Sequence, residues 1–534
     1  MTASNTPGIH QRSAQERGIS RRALGLPRQG WSWLREAVRR NRWFTVALAG
    51  GALLRLIAVI GYPGALWFAG DSYVYLGAAL RPQPNLSKST GYSLFLRLLL
   101  PFHSLTLVTV CQHLMGLGDA AMIYWLLRRN GVSKKWSTIA TLPVLFDGFM
   151  IEDEHLIMAE ALFTFCVMLA TLLVMRTRTM SWWTALIAGL LLGYAGIVRT
   201  EGLVFLAVFP LFLLARGWRV YGWKKARAWI AAIAMALGCA APVLGYALWF
   251  QSYSGTFGLT LSQGYYLWGR VSSFADCAVI KPTGEQAVIC PKEPLTKRTP
   301  PGNFIWHAPE VHQDLPGGPV TAKNNTLLTD FAINAVEAQP LGYAKAVAHG
   351  LILAFSVPRE NYPGAGTVYY YYFHRHEIAI PHHSWIKGGY ADQDWVAYGH
   401  QKAGVAIEPF AAALIAYQRV FFTWGPLLGI IMVMGLGGRF RVRRRRDWRP
   451  VSRRHFPVYW VPRGTSMFPW VVGVIMLVTP IAVADFDYRY LLPVIPFACL
   501  AAGLAFAPSR AAASTPGRAA GSTVESAAPE ITSV

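Results

Sequence analysis

The sequence predicts an all-α polytopic membrane protein of about ten transmembrane helices, with helices lying on its outer surface and one long outer loop. Three observations carry this reading. Of the 534 residues, 53% are hydrophobic and only 14% charged, a balance that soluble chains of this size rarely show. Ten segments are apolar over lengths near the roughly 20 residues that a bilayer core of about 30 Å requires: 44–62, 104–127, 136–151, 158–175, 182–199, 202–215, 228–250, 408–436, 467–484 and 490–507. Finally, the positive charge gathers beside these segments rather than on a separate domain.

The net charge of +23 raises nucleic acid as a partner, but the position of the charge decides against it. Nine arginines precede Trp43 and nine more lie between Arg439 and Arg454. Arg128, Arg129, Lys134, Lys135, Arg176, Arg178, Arg216, Arg219, Lys224, Lys225 and Arg227 mark the other basic loops. The positive-inside rule places all of them in the cytoplasm. Ten helices then leave both termini cytoplasmic in a multi-pass protein of the plasma membrane. The basic arm is far longer than a signal-peptide n-region, so the first helix is read as retained.

Taken in order, residues 1–43 form a basic arm, polar and largely disordered. Residues 44–250 form a membrane core of seven helices. Arg55 stands near the middle of the first, where an arginine is costly and is either functional or held by a carboxylate. The chain then leaves the membrane into an outer loop, 62–103, that carries Gly70-Asp71-Ser72-Tyr73-Val74-Tyr75-Leu76. Ser93 to Leu100 is too short to span. It reads as an amphipathic interfacial helix that aims Lys88 back towards Asp71.

Glu152, Asp153, Glu154, His155 and Glu160 form the densest acidic cluster of the chain. The first three read as a solvated turn, and Glu160 as the head of the fourth helix, where a helix dipole favours a carboxylate. Arg199 and Glu201 follow helix five, as a surface ion pair or a site for an anionic headgroup.

Residues 251–407 form a long extracytoplasmic region with surface helices, including a helical stretch near 327–355 that breaks around Pro340. Such a length marks a functional loop or a small domain. Cys277 and Cys290 lie in it and are expected to form a disulfide, while Cys111, Cys166, Cys239 and Cys499 pack inside spans. The run Tyr369 to His376 reads as an aromatic belt or sugar-stacking surface in preference to a metal site. Helices eight to ten occupy 408–507, around an arginine-rich cytoplasmic loop at 437–466. Asp485 to Tyr490 form a short outer link between the last two, and 508–534 are a disordered tail.

Asp71, Glu160, Lys88, Arg199 and Arg489 thus collect at helix ends on one side of the membrane. Carboxylates can act as a base or hold a divalent cation, and cations can carry the charge of a phosphate leaving group. There is no nucleotide-binding glycine motif. A lipid-linked sugar flippase or secondary transporter is the alternative, favoured by Arg55 and Asp119 but lacking internal repeats.

The order of Gly70-Asp71-Ser72-Tyr73-Val74-Tyr75, Gly91-Tyr92-Ser93-Leu94-Phe95-Leu96, Ala159-Glu160-Ala161-Leu162-Phe163, Gly189-Leu190-Leu191-Leu192-Gly193 with Arg199, and Tyr488-Arg489-Tyr490-Leu491-Leu492-Pro493 resembles the polytopic GT-C glycosyltransferases. The likeness is to the branch of protein O-mannosyltransferases and the lipid A aminoarabinose transferase, over residues 44–250 and 408–507. It implies a GT-C-like bundle and inverting transfer of a sugar from a polyprenyl-phosphate donor to an extracytoplasmic glycolipid, wall glycan or protein. By the same likeness Asp71 is the base or the carboxylate that orients the acceptor, and Glu160 is its partner. Lys88 and Arg489, with Arg199 a looser match, face the donor phosphate, and Tyr75, Tyr92 and Tyr488 lie beside the substrate. Many members carry an Asp-Glu pair where this chain has Asp71-Ser72. Metal dependence is therefore left open, with Asp71, Glu160 and His155 the candidate ligands for a divalent cation.

Overall fold

The structure is a computed structural model that describes residue 36 and residues 38–68, 70–177, 179–357, 359–375, 379–384, 386–400, 405–437 and 466–507. Most of the basic arm, nearly all of the arginine-rich loop, His376 and the C-terminal tail lie outside these residues. Among the described residues the chain is helical, with two isolated bridges, Leu66 with Leu156 and Ile386 with Gly389, and no strand.

Among the described residues five helices are long and apolar enough to cross a membrane: Arg42–Gly61, Leu105–Arg129, Thr200–Tyr221, Trp229–Ser254 and Tyr488–Ala505. The first buries only a stripe, Phe44, Gly51, Arg55, Ala58 and Gly61. Val46, Leu53, Leu56 and Ile60 remain exposed, as a lipid-facing helix requires. The last is almost wholly buried and forms the axis of the bundle. Glu160–Met175, Trp182–Val198 and Met467–Val483 are shorter apolar helices packed among them.

The most extensive helix packing is between Trp182–Val198 and Ala226–Ser254. Small residues permit it: a Cβ at Gly189 would strike the Met235 carbonyl, one at Gly193 the Cys239 carbonyl, and one at Gly238 the Leu186 carbonyl. In lipid, where apolar surface gains little by burial against another helix, backbone approach of this kind supplies the packing energy.

Two expected spans are not single helices. Residues 136–151 divide into Lys134–Ile139, Leu142–Phe146 and Gly148–Asp153. Pro143 starts the second piece, and Asp147 caps the third by accepting from the amides of Phe149 and Met150 at 2.9 and 3.1 Å. The segment 408–436 is a pair, Phe410–Val420 and Gly425–Gly437, bent by 58°. The short helix Gly91–Leu99 buries Tyr92, Ser93 and Leu96 and exposes Leu98 and Phe102 just beyond it, the amphipathic form that the sequence suggested.

The long connection builds a module with its own core, including Trp268, Phe304, Ile305, Leu328 and Phe331. A disulfide joins Cys277 to Cys290. Helices Ala322–Ala338 and Pro340–Ala354 meet at a break on Gln339, where Pro340 starts the second. The module docks on the link before the last helix. Asp485 Oδ2 accepts from the Gly302 amide at 2.7 Å, and Tyr362 donates to Asp485 Oδ1 at 2.6 Å.

The tyrosine run is no exposed belt. Tyr371 and Phe373 are buried, Tyr371 stacks on Phe68 at 5.3 Å and Phe373 on Tyr62 at 5.1 Å. Apolar rings gain more by covering the first connection than by facing water, and of the run's described rings only Tyr369 is exposed.

Candidate active site

Asp71 is the first residue of helix Asp71–Leu80, and Gly70 before it has φ 72°, a left-handed turn that a side chain would strain. Ser72 fixes the same turn. Its hydroxyl accepts from the Phe68 amide at 2.8 Å and donates to the Ile157 carbonyl at 3.0 Å, so the residue that departs from the Asp-Glu pattern holds backbone in place. Lys88 is set by Asn85, whose side-chain oxygen accepts from the amides of Ser87 and Lys88 at 2.8 and 2.9 Å. Arg489 lies in the 3-10 turn Tyr488–Leu491, entered from Asp487.

These three elements converge. Lys88 Nζ pairs with Asp71 Oδ1, and Arg489 Nη1 donates to Asp71 Oδ2 at 2.8 Å. Burial by itself would raise the Asp71 carboxyl, but the Lys88 ammonium and Arg489 guanidinium hold it well below the usual carboxylate range.

Glu160 opens helix Glu160–Met175, and its Oε1 pairs with Arg199 Nη1 and lies 3.8 Å from Arg489 Nε. Arg199 Nη2 reaches Glu201 Oε1 at 3.2 Å, and Arg489 Nε reaches Asp487 Oδ2 at 3.3 Å. Tyr371 donates to Asp487 at 2.6 Å. The ring of Tyr490 lies 5.4 Å from the Arg199 guanidinium and 5.3 Å from that of Arg489, which also faces Phe68 at 4.9 Å. One ion network, with buried carboxylates and half-buried cations, therefore joins the five charged residues that the sequence picked out from four separate parts of the chain. Its aromatic walls can stack against an apolar or sugar face.

The tyrosines divide. Tyr75 lies 5.7 Å from Lys88 Nζ and packs edge-on against Tyr92 at 4.9 Å. The Tyr92 hydroxyl turns to Gln112 Oε1 at 2.6 Å and thus supports the site from behind. Tyr488 points elsewhere: its hydroxyl accepts from the Glu360 amide at 2.8 Å and its ring lies 4.9 Å from Arg359. Neighbours in a tight turn face opposite ways, so Arg489 enters the network and Tyr488 leaves it.

Sequence reasoning gave no site role to Asp487, Tyr490, Phe68 or Tyr266, read Glu201 only as a partner of Arg199, and took Tyr371 only as part of an aromatic belt or sugar-stacking surface. The charges at 201, 487 and 489 were visible beside predicted helix ends. Tyr266 carried no signal; burial, followed by the Asp71 charge, pushes its phenol up, which places it near the site from a remote stretch of chain.

Glu152, Asp153 and Glu154, expected in a solvated turn, are 1%, 6% and 3% exposed. For Glu154 the reason is Arg55, a charge within the bundle that it neutralises. Arg55 Nε and Nη2 each donate to a Glu154 oxygen at 2.7 Å, and Nη1 donates to the Leu145 carbonyl at 2.9 Å. The chain of contacts continues from Glu154 Oε2 to His113 Nδ1 at 2.8 Å, from His113 Nε2 to His155 Nδ1 at 3.0 Å, and from His155 Nε2 to the Tyr62 carbonyl at 2.8 Å. His155 therefore has both ring nitrogens engaged away from Asp71. Both Asp71 oxygens face cations. Asp71, Glu160 and His155 do not fit a divalent cation together, and among the described residues no group of three or more His, Cys, Asp or Glu side chains does.

The fold and this network define a polytopic membrane protein with a buried carboxylate–cation site at one end of its helical bundle. Residues 90–254 match the family model for dolichyl-phosphate-mannose-protein mannosyltransferase, a family of the GT-C superfamily. The match covers about a third of the chain and contains Glu160, Arg199 and Glu201, but neither Asp71, Lys88 nor Arg489. With the apolar helices it supports a membrane glycosyltransferase of mannosyltransferase-like kind. No curated protein matches the chain.

Proposed function

We propose that this protein transfers a sugar from a polyprenyl-phosphate donor to a hydroxyl acceptor on the extracytoplasmic side, with inversion, using Asp71 as base. The observation that carries the reading is the joint pairing of Asp71 with Lys88 and Arg489, two cations of the kind a phosphate needs, inside a chain that matches a sugar-transferring family. The acceptor oxygen attacks the anomeric carbon, its proton passes to Asp71, and the bond from that carbon to the phosphate oxygen breaks. Lys88, Arg489 and Arg199 stabilise the charge that develops on the departing phosphate.

Held by both cations, Asp71 is a poor base. A donor phosphate that draws off Lys88 and Arg489 weakens those pairings and raises its basicity, so the base becomes active only with donor in place. Glu160 keeps Arg199 oriented. No metal step is required of these residues. The cytoplasmic position of both termini and the acceptor class (glycolipid, wall glycan or protein) belong to the same proposal. Of the two intramembrane groups that favoured the transporter reading, Arg55 is neutralised by Glu154.

Transfer of labelled sugar from a polyprenyl-phosphate donor, in membranes carrying wild type or Asp71→Asn, tests the reading. General-base assistance contributes about 10²–10⁴-fold, so Asp71→Asn should lose about that much. Equal transfer by both proteins would remove Asp71 from the chemistry.

A further inference from the structure

The module built by the long connection reaches the site through one helix, Gln263–Ser272. Just before it, the Leu261 amide donates to the Leu86 carbonyl at 2.7 Å, and at its cap the Ser262 hydroxyl donates to the Ser87 carbonyl at 2.7 Å. These contacts fasten the start of the helix to the turn that carries Lys88. Near its end Arg270, 2% exposed, has Nη1 at 3.8 Å from Asp485 Oδ1. Asp485 opens the link whose Asp487 caps the turn holding Arg489. One helix therefore spans the two chain segments whose cations meet on Asp71.

Tyr266 lies midway along it. Positions 262, 266 and 270 are spaced four apart and so share one side of a helix. The Tyr266 amide donates to the Ser262 carbonyl at 3.0 Å, which carries the helical turn through the cap. With Ser262 held on the Lys88 turn and Arg270 on the Arg489 link, the side between them faces Asp71. The electrostatics agree, since after burial the Asp71 charge is the next influence that raises the Tyr266 phenol. The other side of the helix fills the module's own core, where the Trp268 indole donates to the Ile289 carbonyl at 2.8 Å.

Tyr266 itself is half-buried, and its ring lies 6.3 Å, edge-on, from that of Trp306, which is 51% exposed. An aromatic pair that is open at one end and reaches a carboxylate–cation site at the other suits a ligand with both an apolar face and polar groups. The function proposed above says which ligand. The donor phosphate pairs with Lys88 and Arg489 while the prenyl chain stays in lipid. The sugar is bonded to an oxygen of that phosphate and so lies beside the same two cations, between the segments that the helix spans.

We propose that Tyr266, with Trp306 beside it, is the surface on which the ring of the donor sugar stacks, so that the module selects the sugar while the bundle holds the phosphate. Tyr266 is then a specificity-determining residue contributed from outside the matched family segment. This inference rests on the proposed polyprenyl-phosphate donor.

The test is equilibrium binding to the purified full chain in lipid nanodiscs, with two probes: a polyprenyl-phosphate-mannose, mannose being the sugar in the matched family's description, and the same polyprenyl phosphate without sugar. Wild type should bind the sugar-bearing lipid more tightly. Tyr266→Leu should cut that preference about tenfold and leave the affinity for the bare lipid phosphate unchanged. Tyr266→Phe, which keeps the ring, should retain the preference. Trp306→Ala, at an exposed position outside the module's core, should lower it in the same direction. An unchanged preference in Tyr266→Leu, or in Trp306→Ala where Tyr266→Leu does not fold, overturns the proposal. An equal loss of affinity for both lipids also overturns it, since Tyr266 would then only brace the module. A loss as large in Tyr266→Phe as in Tyr266→Leu overturns stacking through the ring. If wild type binds both lipids equally, the sugar contact falls and the phosphate site stands; if it binds neither, the proposed donor falls with it.

Discussion

Arg489 is the residue on which the site geometry makes its strongest demand. Its guanidinium lies 2.8 Å from Asp71, 3.3 Å from Asp487 and 3.8 Å from Glu160, between the rings of Phe68 and Tyr490. Arg489→Met leaves three buried carboxyl groups without their shared cation. Breaking a buried pair in this way costs about 3–5 kcal/mol, and loss of a donor aimed at developing charge costs about 10²–10³-fold in turnover. Arg489→Lys retains the charge but not the planar fork, and one ammonium cannot serve three carboxylates at these distances. It should fold better than Arg489→Met yet still lose about tenfold or more in transfer. The assay is labelled-sugar transfer per folded protein, with thermal unfolding in detergent read on the same samples. Full activity in Arg489→Lys would refute the bridging role. A fall in melting temperature with unchanged turnover in Arg489→Met would reduce Arg489 to a structural residue.

Three further outcomes follow from the same physics. Arg55→Met alone should destabilise the bundle by about 3–5 kcal/mol, whereas Arg55→Met with Glu154→Gln should lose less, because no charge is left unpaired; thermal melts of both in detergent decide it. Replacing Cys277 and Cys290 by serine removes a cross-link over 13 residues and should cost the module that holds them about 2–4 kcal/mol, seen as earlier proteolysis within 263–338. The Asp485 carboxyl is pushed up by burial to about 6 despite its bonds from Tyr362 and Gly302. Its folded value lies above the unfolded one, so its contribution is fully present below about 4 and is lost as pH rises through about 6. Asp485→Asn should therefore flatten the pH dependence of melting between those values, and an unchanged slope would show that other groups set it.

Much of the bundle was legible in the sequence because a bilayer imposes a length and an apolarity that composition reveals directly. The break before Pro340 and the amphipathic helix at Gly91 were legible for equally local reasons. Residues 136–151 were not, since apolar composition does not report that Pro143 and an Asp147 cap divide a segment into turns. The tyrosine run misled for a related reason: aromatic residues suit an interface and a core equally, and only the position of Phe68 and Tyr62 draws Tyr371 and Phe373 inward.

By itself the sequence determined a many-spanning helical protein whose carboxylates and cations sit at helix ends, since each of those features is a property of a short stretch. It also marked Asp71, Glu160, Lys88, Arg199 and Arg489 individually. Only the tertiary structure decided that these five form one network, that Tyr488 faces away from it, and that Glu152, Asp153 and Glu154 are buried behind it. Pairing across separations such as the 418 residues between Asp71 and Arg489 depends on how the helices pack. A buried charge such as Arg55 selects its partner from whatever that packing brings within reach.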